Sequence, residues 1–370
     1  MPTRLQAIYR VRCDAHAIAA RAQAIAVEQS VEMPVSAIAD EAVRAEIVGR
    51  VEDIAELDAS LFQVRVSLAA ETVGDDPGQL LNMLFGNTSL HEDVTLQDIE
   101  LPAALIAAFG GPRHGLAGLR ERAGASERAL TCSALKPQGL PAERLADIAR
   151  AFAQGGVNFI KDDHGLADQA YSPFAARVTA ITAALRQTAR PDGTCARYVP
   201  SLSGDLDAMR AQLALAIGAG IDTAMIAPMI AGFSNFHRLV REHPGMAFIA
   251  HPTMAGAARI APPLLLGKLF RLLGADAVVF PNHGGRFGYS PDTCRAIAES
   301  SLAVQSGLRR SVPVPAGGMT TDRVGEMLDF YGGDVMLLIG GALLEAGARL
   351  SEATQAFVGE VERYDYRRRA

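Results

Sequence analysis

Cysteine is scarce in this chain. Its 370 residues include four, Cys13, Cys132, Cys195 and Cys294, far apart and without a CxxC pair. That argues against a disulfide framework or a zinc ribbon and favours a reducing cytoplasm. Long apolar runs are also missing. No stretch approaches the ~20 residues needed to span a bilayer, and the N-terminus lacks the basic, apolar, small-residue pattern of a secretory signal. A cytoplasmic protein with no membrane partner is expected. Clustered positive charge is the third absence. The net charge is −6, and Lys and Arg are scattered except for Arg367, Arg368 and Arg369, which read as a solvated tail. No nucleic-acid partner is expected. What is present, 49% apolar and 21% charged residues, describes a packed globular protein of one large domain and a smaller one.

The first part reads as a small mixed domain. Gln6–Val11 alternates as a strand, Ile18–Ala26 has helical spacing, and Val43–Leu57 is of mixed propensity. Leu61–Leu68 alternates strongly. The turn Gly74–Gly78 leads into a helix over Gln79–Phe85, and Val94–Leu101 reads as another strand. This order suggests an α+β sandwich of ferredoxin-like type. Phe109–Gly115 is rich in chain breakers and is the linker candidate, giving domains at 1–118 and 119–370.

From about residue 129 a regular rhythm sets in. Short apolar runs at Leu130–Leu135, Val157–Lys161, Ala196–Ser201, Thr223–Ala227, Ala247–His251, Ala277–Pro281, Val312–Ala316 and Val335–Ile339 alternate with helical segments, the last over Leu343–Ala348. Eight strand–helix repeats predict an α/β fold with a C-terminal (β/α)8 TIM barrel. An open doubly wound sheet of this length would be unusual.

Gly155–Gly165 (GGVNFIKDDHG) stands out within that rhythm. On a strand Phe159, Lys161 and Asp163 share one side, while Ile160 and Asp162 take the other. Charges at the end of a buried strand must be paired, exposed at a rim, or metal-bound. In a barrel the chemistry gathers at the carboxyl ends of the strands. There this sequence places Lys136, then Lys161 to His164, then His251 and His283. Gly317–Gly318 and Gly340–Gly341 follow the last two strands, where this fold recurrently binds phosphate through bare backbone N–H groups.

The stretch GGVNFIKDDHG resembles the metal-binding signature of the RuBisCO large-subunit superfamily, where a carbamylated lysine, an aspartate and a glutamate hold magnesium. Further resemblances follow in order along the chain. They are Ile8–Val11 with Ala26–Ser30, Leu84–Asn87, Ala134–Pro137, Pro315–Gly318 and Leu338–Gly341. The resemblance implies a homodimer, extending to a higher oligomer in some members, with active sites shared between subunits. Glu28 and Asn87 would serve a neighbouring subunit's site. It also implies Lys136 as catalytic base, Lys161 (carbamylated), Asp163 and His164 at the metal, and the two glycine pairs at a substrate phosphate.

The departures narrow the function. The family's glutamate ligand is His164, the second lysine of its Lys-Pro-Lys strand is Gln138, and the arginine after the strand-five histidine is Pro252. The loop serine is Ala316, a histidine position falls near Phe280, and Arg286 is only a loose counterpart of the mobile lid lysine. The lost groups would clamp a second phosphate. The pattern is that of a RuBisCO-like protein (form IV type), which implies magnesium-dependent enolate-forming chemistry on a keto-sugar or keto-acid monophosphate and not carbon dioxide fixation. His164 offers nitrogen, which admits manganese or another divalent ion, or can serve as acid or base. Lys136 is a base only with a depressed pKa; otherwise it pairs with Asp162 or Asp163, or forms a Schiff base in a metal-free enzyme. His251 orients substrate oxygen or caps its strand. Three specific outcomes stay open: 5-methylthioribulose-1-phosphate isomerase, 3-oxo-isoapionate-4-phosphate transcarboxylase/hydrolase, or a non-catalytic ligand-binding homologue. The 2,3-diketo-5-methylthiopentyl-1-phosphate enolase branch uses a lysine near the position of Asp93, which this chain lacks.

Overall fold

Alternation of apolar residues builds the first sheet. In the computed structural model, which describes residues 3–125, 127–188 and 194–369, β1 (Arg4–Arg12), β2 (Arg50–Asp58), β3 (Leu61–Ala69) and β4 (Val94–Glu100) pair antiparallel in the order β2-β3-β1-β4. Ala7, Tyr9 and Val11 of β1 and Val64, Val66 and Leu68 of β3 are fully buried, as central strands require. The helix Ile18–Glu28 turns Ile18, Ala22, Ile25 and Ala26 inward, an i, i+4, i+7, i+8 stripe. The helix Pro77–Phe85 starts where Asp76 accepts from Gly78 N at 2.7 Å and Pro77 occupies the first turn. β2 was not separable from its surroundings by pattern. It is an edge strand carrying Glu52, Asp53, Glu56 and Asp58, mostly exposed, so it lacks the one-faced alternation that identifies a strand and has the charge that protects an edge.

The chain divides into two compact units, Met1–Gly111 with Met254–Leu265, and Pro112–Thr253 with Leu266–Ala370. The inclusion of Met254–Leu265 in the first unit has a local cause. Leu96 N donates to Arg259 O at 3.0 Å and Ala261 N to Leu96 O at 2.9 Å, adding a short parallel bridge beside β4.

The second unit is the barrel. Its strands are β5 (Leu130–Leu135), β6 (Phe159–Asp162), β7 (Arg197–Val199), β8 (Thr223–Ile226), β9 (Ala247–Ala250), β10 (Ala277–Pro281), β11 (Val312–Ala316) and β12 (Met336–Leu338). They run parallel in two arrays, β12-β5-β6-β7 and β11-β10-β9-β8. Met225 N to Pro200 O and Leu202 N to Met225 O, both 2.8 Å, join β7 to β8, and β11 lies beside β12. All eight strands fall within two residues of their expected limits. Beyond the expected repeats lies a further helix, Leu350–Arg363, which buries Leu350, Thr354, Phe357, Val358 and Val361. The arginine side chains at 368 and 369 lie outside the described residues. Inward side chains, including Cys132, Phe159, Val199, Met225, Ile249, Val279, Val314 and Leu338, form one apolar core, onto which Leu116 and Leu119 pack. Among the described residues, no helix is long and apolar enough to cross a membrane.

Candidate active site at the barrel rim

Strand register decides which charges meet. β5 and β6 pair in parallel with Ala134 opposite Lys161 and Leu135 opposite Asp162. Continuing two residues on each strand keeps the same face and sets Lys136 against Asp163. Lys136 Nζ lies 2.6 Å from Asp163 Oδ1. Of the roles open to Lys136 from sequence, the ion pair is thus the one formed here. Phe159 sits in the apolar core one layer below, so the expected inward face of Phe159, Lys161 and Asp163 is the observed one.

Lys161 is buried, 4% exposed, and its Nζ donates to the backbone oxygen of Asp162 at 2.8 Å. Burial lowers its pKa, with Cys132 and Asp163 opposing and Lys136 adding to the effect. Burial alone would raise the Asp163 carboxyl. Hydrogen bonds from His164 and Lys136, with the charges of both lysines, instead hold it far below the usual carboxylate range. His164 Nδ1 is 3.5 Å from Asp163 Oδ1, and its ring stacks on His251 with centroids 4.8 Å apart and planes 6° from parallel. His251 is held by its backbone N–H to Ile226 O (2.8 Å) and by Nδ1 on Thr253 Oγ1 (2.6 Å). Burial, then Lys161 and His164, lower its pKa to about 2.

The glycine loops explain themselves sterically. Gly317 and Gly318 have φ of +86° and +85°, a region side chains rarely adopt. A Cβ on Gly318 would lie 2.7 Å from Gly285 Cα, and one on Gly285 would lie 1.9 Å from Gly317 O. The loops after β10 and β11 therefore seat backbone on backbone, and Phe287 rests against Gly317. Gly340 precedes the short helix Gly341–Leu344, and Lys136 Cε is 3.9 Å from where its Cβ would stand. Lys136, Lys161, Asp163, His164 and His251 converge, and the Gly340–Gly341 loop adjoins them.

Glu28 and Asn87 lie in the smaller unit. Buried Gln29 donates to Asn82 O and Met83 O and accepts from Thr88 N, which pins the turn at 87 to the end of the helix at 28. Asn87 Nδ2 consequently donates to Glu28 Oε1 at 2.9 Å and Glu32 Oε1 at 3.0 Å. The structure thus joins these two expected residues and adds Glu32. Asp93 is paired with Arg21 through two bonds of 2.8 and 2.9 Å.

The donor set fits a divalent cation once Lys161 is anionic. Among the described residues no three His, Cys, Asp or Glu side chains converge on one point, so Asp163 and His164 would hold such an ion only with a further donor. Lys161, with its pKa lowered by burial, can react as a free amine with carbon dioxide to give a carbamate and a proton, and the carbamate supplies the hard oxygen that magnesium prefers.

Sequence reasoning missed the group behind the strand. Asp162 points away from the rim lysine and is bound by Arg177, Tyr198 and the Ser201 amide. An arginine in the first turn of a helix, Phe174–Arg186, gives no pattern that marks it. A cleft of about 380 Å³ between helices Pro291–Leu302 and Val324–Tyr331 contains none of the site residues.

The catalytic-domain model of the ribulose bisphosphate carboxylase large chain matches residues 115–356. A 5-methylthioribulose-1-phosphate isomerase of Rhodospirillum rubrum is 62% identical over 362 residues, 98% of this chain and 97% of the relative. Ribulose bisphosphate carboxylase-like protein 1 of Rhodopseudomonas palustris is 55% identical, covering 98% of both chains. The crystal structure of a Rubisco-like protein from Rhodopseudomonas palustris superposes with a TM-score of 0.91 at 53% identity, over 98% of this chain and 99% of that one. With the barrel, the rim lysines and the paired glycine loops in place, the chain belongs to the RuBisCO large-chain family.

Proposed function

We propose that this RuBisCO-like protein isomerises a ketose monophosphate, specifically 5-methylthioribulose 1-phosphate, by moving a proton from the carbon beside the carbonyl to the carbonyl carbon, so that the carbonyl passes to its neighbour. The convergence of Lys136, Lys161, Asp163, His164 and His251 on one rim carries the reading, in a chain 62% identical to a protein of that name.

A ketose isomerises through an enediol when a proton leaves the carbon beside the ketone and returns to the former carbonyl carbon, while a hydroxyl proton passes from the one oxygen to the other. In this reading Lys136 first gives up the proton of its ion pair with Asp163 Oδ1, 2.6 Å away, to solvent; its Nζ then takes the carbon proton and the pair re-forms. The same Nζ can return it. Burial lowers the His251 pKa, which favours the neutral ring. With Thr253 on Nδ1, its Nε2 is left for a substrate oxygen. Gly317–Gly318 and Gly340–Gly341 offer backbone N–H groups to the single phosphate. A divalent ion held by Asp163, His164 and carbamylated Lys161 would polarise the ketone as a Lewis acid. Glu28 and Asn87 supply the pair that the family presents to a neighbouring subunit, so a homodimer is part of the reading.

Incubation with 5-methylthioribulose 1-phosphate in D2O, followed by proton and phosphorus NMR, tests it. A new ketose phosphate carrying deuterium is expected, and ribulose bisphosphate with carbon dioxide should give no carboxylated product. Absence of both isomer and exchange sinks the proposal.

A further inference from the structure

A buried ion pair stands directly behind the site. Arg177 and Asp162 are each 0% exposed in their side chains, with Arg177 Nε 3.1 Å from Asp162 Oδ2. Tyr198 OH donates to Asp162 Oδ1 at 2.8 Å and Ser201 N to Oδ2 at 3.0 Å. The other arginine nitrogens donate to Ser172 O at 2.7 Å and Ala167 O at 2.9 Å. Both carboxylate oxygens and all three guanidinium nitrogens are therefore occupied.

Stability does not explain this group. Burying two charges costs desolvation that their attraction barely offsets, and apolar replacements of equal volume are often as stable. Its position is more informative. Adjacent residues of a strand face opposite ways, so whatever fixes Asp162 on the outer face fixes Lys161 and Asp163 on the inner one. The backbone oxygen of Asp162 is also the acceptor of Lys161 Nζ. Through Arg177 the same group holds Ala167 and Ser172, which belong to the loop that follows His164. Through Tyr198 and Ser201 it holds the end of β7. Three segments that border the rim thus meet at one carboxylate.

We propose that Arg177 and Tyr198 are positioning residues, which clamp Asp162 so that Lys161, Asp163 and His164 keep their geometry at the rim. The catalytic consequence rests on the isomerase reading; the clamp itself does not.

Tyr198→Phe removes one hydroxyl from a packed ring and is the mild variant. Arg177→Lys keeps the charge and loses the fork, whereas Arg177→Met loses both. Each is compared with the wild-type chain by hydrogen–deuterium exchange of the peptide spanning 159–165 and by kcat and KM, below the melting temperature of every variant. A clamp predicts roughly tenfold faster exchange of that peptide in Tyr198→Phe. It also predicts a fall in kcat of about 10–100-fold with KM within about threefold, since the phosphate loops are untouched. Arg177→Lys should recover part of what Arg177→Met loses. Unchanged exchange, or lower melting temperature with wild-type kcat, overturns the clamp. If wild type fails to turn over the ketose phosphate, the isomerase reading falls while the exchange measurement still decides the clamp.

Discussion

Asp276, at the opposite end of the barrel from the rim, offers a worked test of how the two ends divide their tasks. It is fully buried just ahead of β10. Its Oδ1 accepts His114 N and Gly115 N, both at 2.7 Å, and its Oδ2 accepts Phe248 N at 2.8 Å. The carboxylate thereby ties the start of the helix Gly115–Ala123 to β9 and β10. Asp276→Ala leaves three N–H groups without acceptors, those of Gly115 and Phe248 buried and that of His114 part-buried. At ~1–3 kcal/mol for each orphaned group, with some relaxation, the loss is on the order of 4–6 kcal/mol. At ~2–4 °C per kcal/mol for a domain of this size, the melting temperature should fall on the order of 10–20 °C. Asp276→Asn should cost about half as much. Its oxygen can serve His114 and Gly115, but its NH2 then faces the Phe248 N–H, donor against donor. Calorimetry or urea unfolding measures the series, and kcat is read on the folded fraction at low temperature. A loss under ~1 kcal/mol for alanine, or equal losses for alanine and asparagine, refutes the hydrogen-bond accounting. A kcat changed by more than about threefold would refute the division between a stabilising floor and a reactive rim.

Other tests are shorter. Lys161→Met should cut turnover by at least ~1000-fold, because no side chain then closes the ligand set, while stability holds or rises on removal of a buried ammonium; residual activity near wild type rejects the role. Gly318→Ala should destabilise, since its Cβ meets Gly285 Cα. Gly341→Ala has open space and should melt as wild type does, yet raise KM for the phosphate ester about tenfold through crowding of the anion; an unchanged KM places the phosphate elsewhere. Hydrogen bonds from Arg210 and then Arg238 lower the Glu242 pKa from 4.5 to about 2. A depressed acid adds stability that is present above its unfolded value and lost as pH falls. Glu242→Gln should therefore flatten the acid side of the stability curve between about pH 4.5 and 2, and an unaltered curve counts against the pair.

Much of this architecture could be read in the amino-acid order, for reasons that differ by element. Barrel strands are short, apolar and mostly buried on both faces, so each stands out against the helices beside it. For Lys136 the order left Asp162 and Asp163 as alternative partners, and only the β5–β6 register decided for Asp163. β2 escaped because an exposed edge has no hidden face to mark it, and the helix Leu350–Arg363 because the expected repeat was already complete. The segment at Met254–Leu265 joins the smaller unit through two backbone bonds, which carry no side-chain signature. Arg177 was invisible for a related reason. Its importance lies in a distance to Asp162, fifteen positions earlier, that no periodicity encodes.

The seating of Gly285 against Gly317 and Gly318 has a consequence for redesign. With Cβ distances of 1.9 and 2.7 Å, neither loop has room for independent change. A longer or bulkier loop after β10 would have to be grafted together with its partner after β11. The shape of that side of the mouth is therefore set by a matched pair of loops, and single-loop libraries should return mostly misfolded variants.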